Sequence, residues 1–290
     1  MEPLVTIEDL HLFHTVDRKI FSRLVIDLGR NPSESMLVMA FWLWLEDIDF
    51  PSITQKMGNF PHSMVNDLAR EAARCLRILD PRTLPEAYRD DDMPLSSMVI
   101  ERPISSSHFQ TTKFSAITGV KTLLNKVVAI VFADILEQVL QSGRRRRPTN
   151  LPPPPLLIPG FPDPVFGRVE VVPLPPGSSV PEGGLWGWAT SYETTVDDRT
   201  MFLTFSRGYW VTEEEVWELF TSLFGDCVEA VRMVPPVIQE EQSLYARMVV
   251  RSVETIDKIL GKKNIAKLRI HGKHVWARKY ERRDRDRDRD

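Results

Sequence analysis

The chain has 290 residues, a length that predicts about two domains, and its 42% hydrophobic content is typical of globular proteins. Its net charge of -3 combines basic and acidic regions that largely cancel. The most apolar run, Met36–Leu45, is about half the length that a membrane-spanning helix needs, and residues 1–10 contain acids and no apolar core. We therefore expect no membrane contact and no secretory signal.

Motifs for catalysis and metal binding are absent from the sequence. It contains no glycine-rich phosphate loop, nucleophile elbow, HExxH motif or paired-carboxylate motif. His11, His14 and Asp17 have a spacing that could direct metal ligands the same way, but a surface histidine pair on a short helix is commoner. We expect no metal, no cofactor and no enzymatic activity.

The two cysteines, Cys75 and Cys227, fall in different predicted domains and have no metal-ligand spacing. We interpret them as reduced thiols of an intracellular protein.

Residues 1–143 predict an all-helical domain. Asn31–Glu34 is a helix cap with proline at the first helical position. The run that follows, Met36–Leu45, is apolar on all sides and should form the centre of this domain. Ser63–Leu79 has the apolar spacing of an amphipathic helix.

The remainder of this domain predicts a loop and one long helix. Residues 80–107 contain several prolines and the acidic run Asp90–Asp92, which predicts a loop. Apolar residues recur at helical spacing from His108 to Gln141, and we expect Gly119 to weaken that helix.

The composition changes at Gly143, and residues 144–194 predict a linker rich in proline and arginine. Arg144–Arg147 suits nuclear import or RNA phosphate, but it equally suits a helix end followed by a solvated linker. Pro152–Pro155 could dock in an SH3, WW or profilin-type groove, although a spacer needs no partner. Leu185–Trp188 is aromatic enough to pack near the sheet predicted below.

Residues 195–280 predict two helices and four strands in the order β-α-β-β-α-β. Thr212 and Glu215 form a capping box at the first helix. Ser252 caps the second helix, and a hairpin around His271–Lys273 leads into the last strand. The predicted strands are Thr200–Phe205, Cys227–Val234, Ser243–Val250 and His274–Tyr280.

Side chains alternate between the two faces of a strand, which assigns the residues of this sheet to two faces. Met201, Leu203 and Phe205 should face the helices. The other face, called the open face below, should show aromatic rings interleaved with arginines, as suits single-stranded nucleic acid. Its predicted residues are Phe202, Thr204, Tyr245, Arg247, Trp276, Arg278 and Tyr280.

This order of elements resembles the RNA recognition motif (RRM) family. The runs 201–205 and 243–250 lie where the family has its two sequence signatures. The match is divergent, because Arg247 replaces the second stacking aromatic, Leu244 replaces a glycine, and Phe205 stands where asparagine is common. The resemblance implies an α+β ferredoxin-like fold beside the all-α domain.

The same resemblance implies that single-stranded RNA binds on the open face. The residues that it assigns to RNA are Phe202, Thr204, Tyr245, Arg247, Trp276, Arg278, Lys279 and Tyr280. Phe202 and Tyr245 would stack on bases, and Lys279 would add a phosphate contact. The alternative is a protein-interaction module, or a scaffold, that does not bind RNA.

Four runs also resemble a group of plant proteins with a helical N-terminal half and a divergent RRM-like C-terminal half. These runs are His14–Arg18, Glu34–Met36, Phe41–Glu46 and Gly272–Tyr280. The resemblance implies the same two-domain architecture and an RNA-binding expectation. The helical half would then bind a protein partner or position the RRM-like domain.

Charge patterning agrees with RNA binding. Lysines and arginines dominate residues 244–280, whereas the acids of this domain collect on its first helix. Residues 281–290 predict a disordered tail, in which the Arg-Asp run Arg282–Asp290 is like the mixed-charge tails of nuclear RNA-processing proteins. We therefore expect a location in the nucleus or, failing that, in the cytoplasm.

Overall fold

A computed structural model describes residues 5–48, 50, 53–80, 93–140, 154–180, 194–208, 210–235 and 242–281. The chain forms two compact units. The first contains residues 1–109 and 119–192, and the second contains residues 110–118 and 193–290. The predicted boundary at residue 143 therefore differs from the observed division. The Arg144–Arg147 run, Leu185–Trp188 and the Arg-Asp tail lie outside the described residues.

The described residues before position 141 are helical, as the sequence predicts. The helices are α1 (Ile7–Phe13), α2 (Thr15–Ser22), α3 (Pro32–Asp47), α4 (Ile53–Met57), α5 (His62–Ile78), α6 (Pro94–Ile100), α7 (Ser106–Thr111), α8 (Lys113–Leu123), α9 (Ala129–Val131) and α10 (Ala133–Leu140). Wider π-helical turns occur at Arg23–Asp27 and Leu124–Val128.

Helix α3 is the centre of the first unit, as the apolar run Met36–Leu45 predicts. The Asn31 side chain caps the helix by accepting hydrogen bonds from the backbone N–H groups of Ser33 and Glu34. Every residue from Ser35 to Leu45 is buried. Burial on all sides follows from the composition, because this run has no polar face to turn toward water.

The predicted loop over residues 80–107 is wrong at Pro94–Ile100, which forms α6. The start of α6 is held by the buried carboxylate of Glu71, which accepts hydrogen bonds from Leu95 N (3.0 Å) and Ser96 N (2.8 Å). This cap comes from another helix, because the N-cap residue Met93 makes no side-chain capping bond and the local start signal is limited to Pro94 at the first helical position. Residues 81–92 lie outside the described residues.

The predicted long helix from His108 to Gln141 is interrupted. It consists of shorter segments that end at Thr111, at Val131 and at Leu140. Gly119 does not break it; its role is steric. A Cβ atom at Gly119 would lie 2.2 Å from Cδ1 of Trp44, so glycine lets the backbone approach the buried indole.

The described part of the predicted linker, residues 154–180, packs within the first unit. Leu156 N donates to Val171 O (2.7 Å), and Ile7 N donates to Ser178 O (3.0 Å). The segment also buries apolar side chains, namely Ile158, Phe166, Val169 and Val171. Prolines prevent regular helices and sheets here, but they do not prevent apolar side chains from being buried.

The second unit is an α+β domain with an antiparallel sheet of five strands in the order β2-β3-β1-β5-β4. Its elements are β1 (Thr200–Phe205), α11 (Glu213–Phe224), β2 (Val228–Met233), β3 (Tyr245–Val250), α12 (Val253–Leu260), β4 (Ile265–Ile270) and β5 (Lys273–Lys279). The capping box of Thr212 and Glu215 is confirmed. Ser252 stands at the start of α12 but makes no side-chain capping bond to the backbone.

Strand β4 is absent from the four-strand prediction. It pairs with β5 through a hairpin whose two turn residues, His271 and Gly272, have φ angles of +45° and +82°. Positive φ at both positions matches the twist of a tight hairpin and explains the glycine. The sheet therefore extends one strand beyond β5.

Helices α11 and α12 cover one face of the sheet and form the core of the second unit with it. Met201, Leu203 and Phe205 of β1 are buried there, as predicted. The other buried apolar residues of the strands are Val228, Val231, Ala246, Met248, Val250, Ala266, Ile270, Val275 and Ala277.

A buried carboxylate lies on the covered side of this unit. Asp257 of α12 accepts hydrogen bonds from Phe114 N (2.8 Å), Ser115 N (2.9 Å) and Ser115 Oγ (2.6 Å) at the start of α8. Burial raises the pKa of Asp257 above its ordinary value, although these hydrogen bonds act in the opposite direction.

Candidate nucleic-acid interface

The open face exposes the residues that alternation assigns to it. Tyr245 is 43% exposed, and Arg247 and Arg278 are exposed. Phe202, Thr204, Trp276 and Tyr280 are half-buried. Their chain neighbours Leu203, Ala246 and Ala277 are fully buried on the other face, which confirms the predicted alternation.

Strand register arranges these side chains in two rows across the sheet. One row contains Arg232, Arg247, Phe202 and Arg278 on four adjacent strands. The next row contains Tyr245, Thr204, Trp276 and Lys267. The first row therefore combines one aromatic ring with three arginines, and the second combines two aromatic rings with one lysine, at the spacing of neighbouring strands.

Rings and guanidinium groups of the open face contact one another. The rings of Phe202 and Tyr245 stack with centroids 5.5 Å apart and planes 27° apart. Arg278 Cζ lies 4.9 Å from the centroid of the Phe202 ring, and Arg247 Cζ lies 4.8 Å from that of Tyr280. These contacts hold both guanidinium groups against the sheet and leave Tyr245 as the most exposed ring of the stack.

Lys279 does not belong to this surface. It pairs with buried Met201 and shares the alternation of Val275 and Ala277, so it lies on the covered side of β5. Its amine donates to the backbone oxygens of Asp197 (2.5 Å) and Thr200 (3.4 Å). The predicted phosphate contact by Lys279 is therefore wrong by position.

Three basic residues of the open face are missing from the sequence prediction. Arg232 of β2 pairs with Arg247, and Lys267 and Arg269 of β4 pair with Trp276 and His274. The signal for Lys267 and Arg269 was present, because residues 266–270 alternate between apolar and basic side chains. Arg232 follows buried Val231, and the same alternation places it outward.

The first unit offers no comparable site at its histidines. His14 Nδ1 lies 2.8 Å from Asp17 Oδ2 inside the unit, and His11 Nε2 lies 3.9 Å from Asp134 Oδ1. Within the described ranges no group of three or more histidine, cysteine or acidic side chains could hold a metal ion. Both cysteines are buried free thiols.

One helical stretch among the described residues, Lys113–Val131, is long and apolar enough to cross a membrane by length and composition. Its mean hydropathy is 1.4, and 56% of it is buried within the structure. The core helix of a soluble protein meets the same criterion, so the length and composition of this stretch are weak evidence for a membrane span.

Comparisons with protein-family models, with curated proteins and with solved structures find no match to this chain.

Proposed function

We propose that this chain is an RNA-binding protein and that single-stranded RNA binds on the open face of its sheet. The observation that carries the proposal is the row in which Phe202 lies between Arg247 and Arg278, with Tyr245 stacked on Phe202 and exposed. Rings in this position offer stacking surfaces to unpaired bases, and neighbouring guanidinium groups offer donors to phosphates.

We further propose that the second unit is a divergent RRM-like domain of ferredoxin-like topology. Strands β1, β2, β3 and β5 with helices α11 and α12 follow the order β-α-β-β-α-β, and β1 and β3 are adjacent within the sheet. Strand β4 is then an addition at the β5 edge. This placement supports base stacking on the first and third strands.

Six side chains have definite roles in this proposal. Tyr245 stacks on one base and Trp276 on a second. Arg247, Arg232 and Lys267 bind phosphates, because they lie beside the aromatic rings within the two rows. Thr204 lies between the two stacking residues and is small enough to let bases approach the backbone.

The test is fluorescence anisotropy of the full chain with a fluorescein-labelled pool of short single-stranded RNA. Tyr245→Ala should weaken binding by about 1–3 kcal/mol, the usual contribution of one stacked base. Leu223→Ala is the matched control, since Leu223 is an apolar side chain on α11 that is 55% exposed. It should leave the affinity unchanged.

Two results would overturn the proposal. In the first, the folded wild-type chain fails to bind the RNA pool. In the second, RNA binds equally well to wild type and Tyr245→Ala. Binding that is insensitive to salt would favour the alternative, a protein-interaction module, because phosphate contacts weaken steeply as ionic strength rises.

A nuclear location is part of the proposal, supported by Arg144–Arg147 and by the Arg-Asp tail. Replacement of the four arginines by glutamine in a fluorescent fusion should reduce nuclear accumulation. An unchanged distribution would remove this part of the proposal without affecting RNA binding.

A further inference from the structure

Helix α11 and strand β2 enclose a groove of about 480 Å³ in the second unit. We call it the acidic groove; its lining residues are Glu213, Glu214, Trp217, Glu218, Ala230 and Val231. Three of these six residues are glutamates, and none carries a positive charge. Its charge is therefore opposite to that of the rows on the open face.

Trp217 gives the acidic groove an apolar wall. The indole is 38% exposed, whereas Val216 and Phe220 of the same helix are fully buried in the core. The core therefore does not require a tryptophan at this position. Exposed tryptophans on folded domains are enriched where a partner binds.

The carboxylates of the groove have different roles. Glu213 Oε1 accepts a hydrogen bond from Met233 N (2.9 Å), so this residue fixes the end of β2. Glu214 and Glu218 are exposed and form no ion pair within the described residues. A hydrogen bond from its own backbone N–H lowers the pKa of Glu214, which keeps its carboxylate charged.

The outer edge of β2 supplies backbone groups beside these side chains. No strand pairs with this edge within the part of the chain that the structure describes. Met233 N–H points outward to Glu213, and the alternation of an antiparallel ladder directs the backbone groups of Val231 outward as well. An unpaired strand edge is a template for an extended peptide.

We propose that the acidic groove binds an extended, arginine-rich segment of a partner protein, which adds to the edge of β2 as a further strand. Its backbone would pair with Val231. Alternate arginines would bind Glu214 and Glu218 and stack on Trp217. The occupant is basic because the groove is acidic, and this charge would repel a nucleic acid.

The inference goes beyond RNA binding and is independent of it, because none of these residues is assigned to RNA. The probe is a fluorescein-labelled peptide of about eight residues, the length of an ordinary strand, that alternates arginine and threonine. It is titrated with the full chain and followed by anisotropy. The control peptide has glutamine in place of arginine.

Wild type should bind the arginine peptide and not the glutamine peptide. Glu214→Gln/Glu218→Gln should weaken binding about fivefold, since two exposed ion pairs are lost. Trp217→Ala should weaken it about tenfold or more, as removal of an aromatic interface anchor does. The matched control is Glu254→Gln, an exposed charge in the first turn of α12, which should leave binding unchanged.

The groove variants should retain the RNA affinity and the far-UV circular dichroism of wild type. Equal loss of peptide binding in Glu254→Gln and in the groove variants would reduce the effect to net charge and overturn the proposal. Absence of peptide binding to folded wild type would also overturn it. A dimer of the free chain that Trp217→Ala dissociates would assign the groove to a second copy instead.

Discussion

Helix α3 and strand β1 are both rich in large apolar side chains, but they differ in what covers them. Ser35 to Leu45 of α3 is buried on every side within the first unit. Strand β1 buries Met201, Leu203 and Phe205 under helices and leaves Phe202 and Thr204 half-buried on the other face. Aromatic residues therefore serve packing in α3, whereas on the open face of the sheet they remain accessible to a ligand.

The sharpest contrast lies between two chain neighbours. Leu203→Ala should lower the free energy of unfolding by about 2–5 kcal/mol, because it leaves a cavity in a core where Leu203 is fully buried. Phe202→Ala should cost clearly less stability but should weaken RNA binding. Chemical denaturation and RNA anisotropy measure the two effects. Equal losses of stability would mean that the open face is packed like a core.

The covered side of the second unit also holds a charge, and its removal should have the next largest effect. Asp257→Ala should lower the free energy of unfolding by about 2 kcal/mol, because it leaves the N–H groups of Phe114 and Ser115 without their acceptor. The control is Glu254→Ala on the exposed side of α12. If both changes cost the same in thermal or chemical denaturation, the capping role of Asp257 is wrong.

Close packing around α3 predicts a further effect. Gly119→Ala should lower the free energy of unfolding by about 1–2 kcal/mol, because the clash of its Cβ with Trp44 exceeds the gain in helix propensity. Combining it with Trp44→Leu tests the cause. The double variant should then lose less unfolding free energy than the sum of the two single losses. Strict additivity would contradict the contact.

A smaller effect concerns phosphate binding on the open face. If Arg247, Arg232 and Lys267 bind phosphates, the logarithm of the RNA affinity should fall with the logarithm of salt concentration with a slope of about -2. Arg247→Ala should make the slope shallower by about 0.7, the value for one single-strand phosphate. An unchanged slope would remove Arg247 from the phosphate contacts.

The smallest expected effect is on pH dependence. Burial raises the pKa of Asp257 above its ordinary value of 3.8, so the folded state holds this proton more tightly than the unfolded state. The stabilisation from protonated Asp257 is complete below pH 3.8 and is lost as pH rises through the raised pKa. Relative to Asp257→Asn, wild type should therefore lose unfolding free energy over that range. A constant difference would contradict the shift.

Features determined by local sequence were predictable. Capping at Asn31 and Thr212, the uniform burial of α3 and the face assignment of β1 follow from residue type and spacing alone. The residues of the open face follow from the same alternation, because successive side chains of a strand point to opposite faces of the sheet.

Features that depend on distant residues were not predictable. Helix α6 needs the Glu71 carboxylate from another helix, and the role of Gly119 depends on the position of Trp44. Strand β4 was missed although residues 265–270 alternate, because the four-strand resemblance assigned that segment to a connection. The assignment of Lys279 to the open face was wrong because side chains alternate along β5. Arg278 faces outward, and Lys279 therefore lies on the covered side.

The most direct test of RNA binding on the open face is photo-crosslinking of the full chain to single-stranded RNA, with the linked residues identified by mass spectrometry. We expect links at Tyr245, Trp276 and Phe202, and loss of the Tyr245 link without loss of folding in Tyr245→Ala. Links confined to other segments, such as Arg144–Arg147, would contradict the account and place RNA away from the sheet.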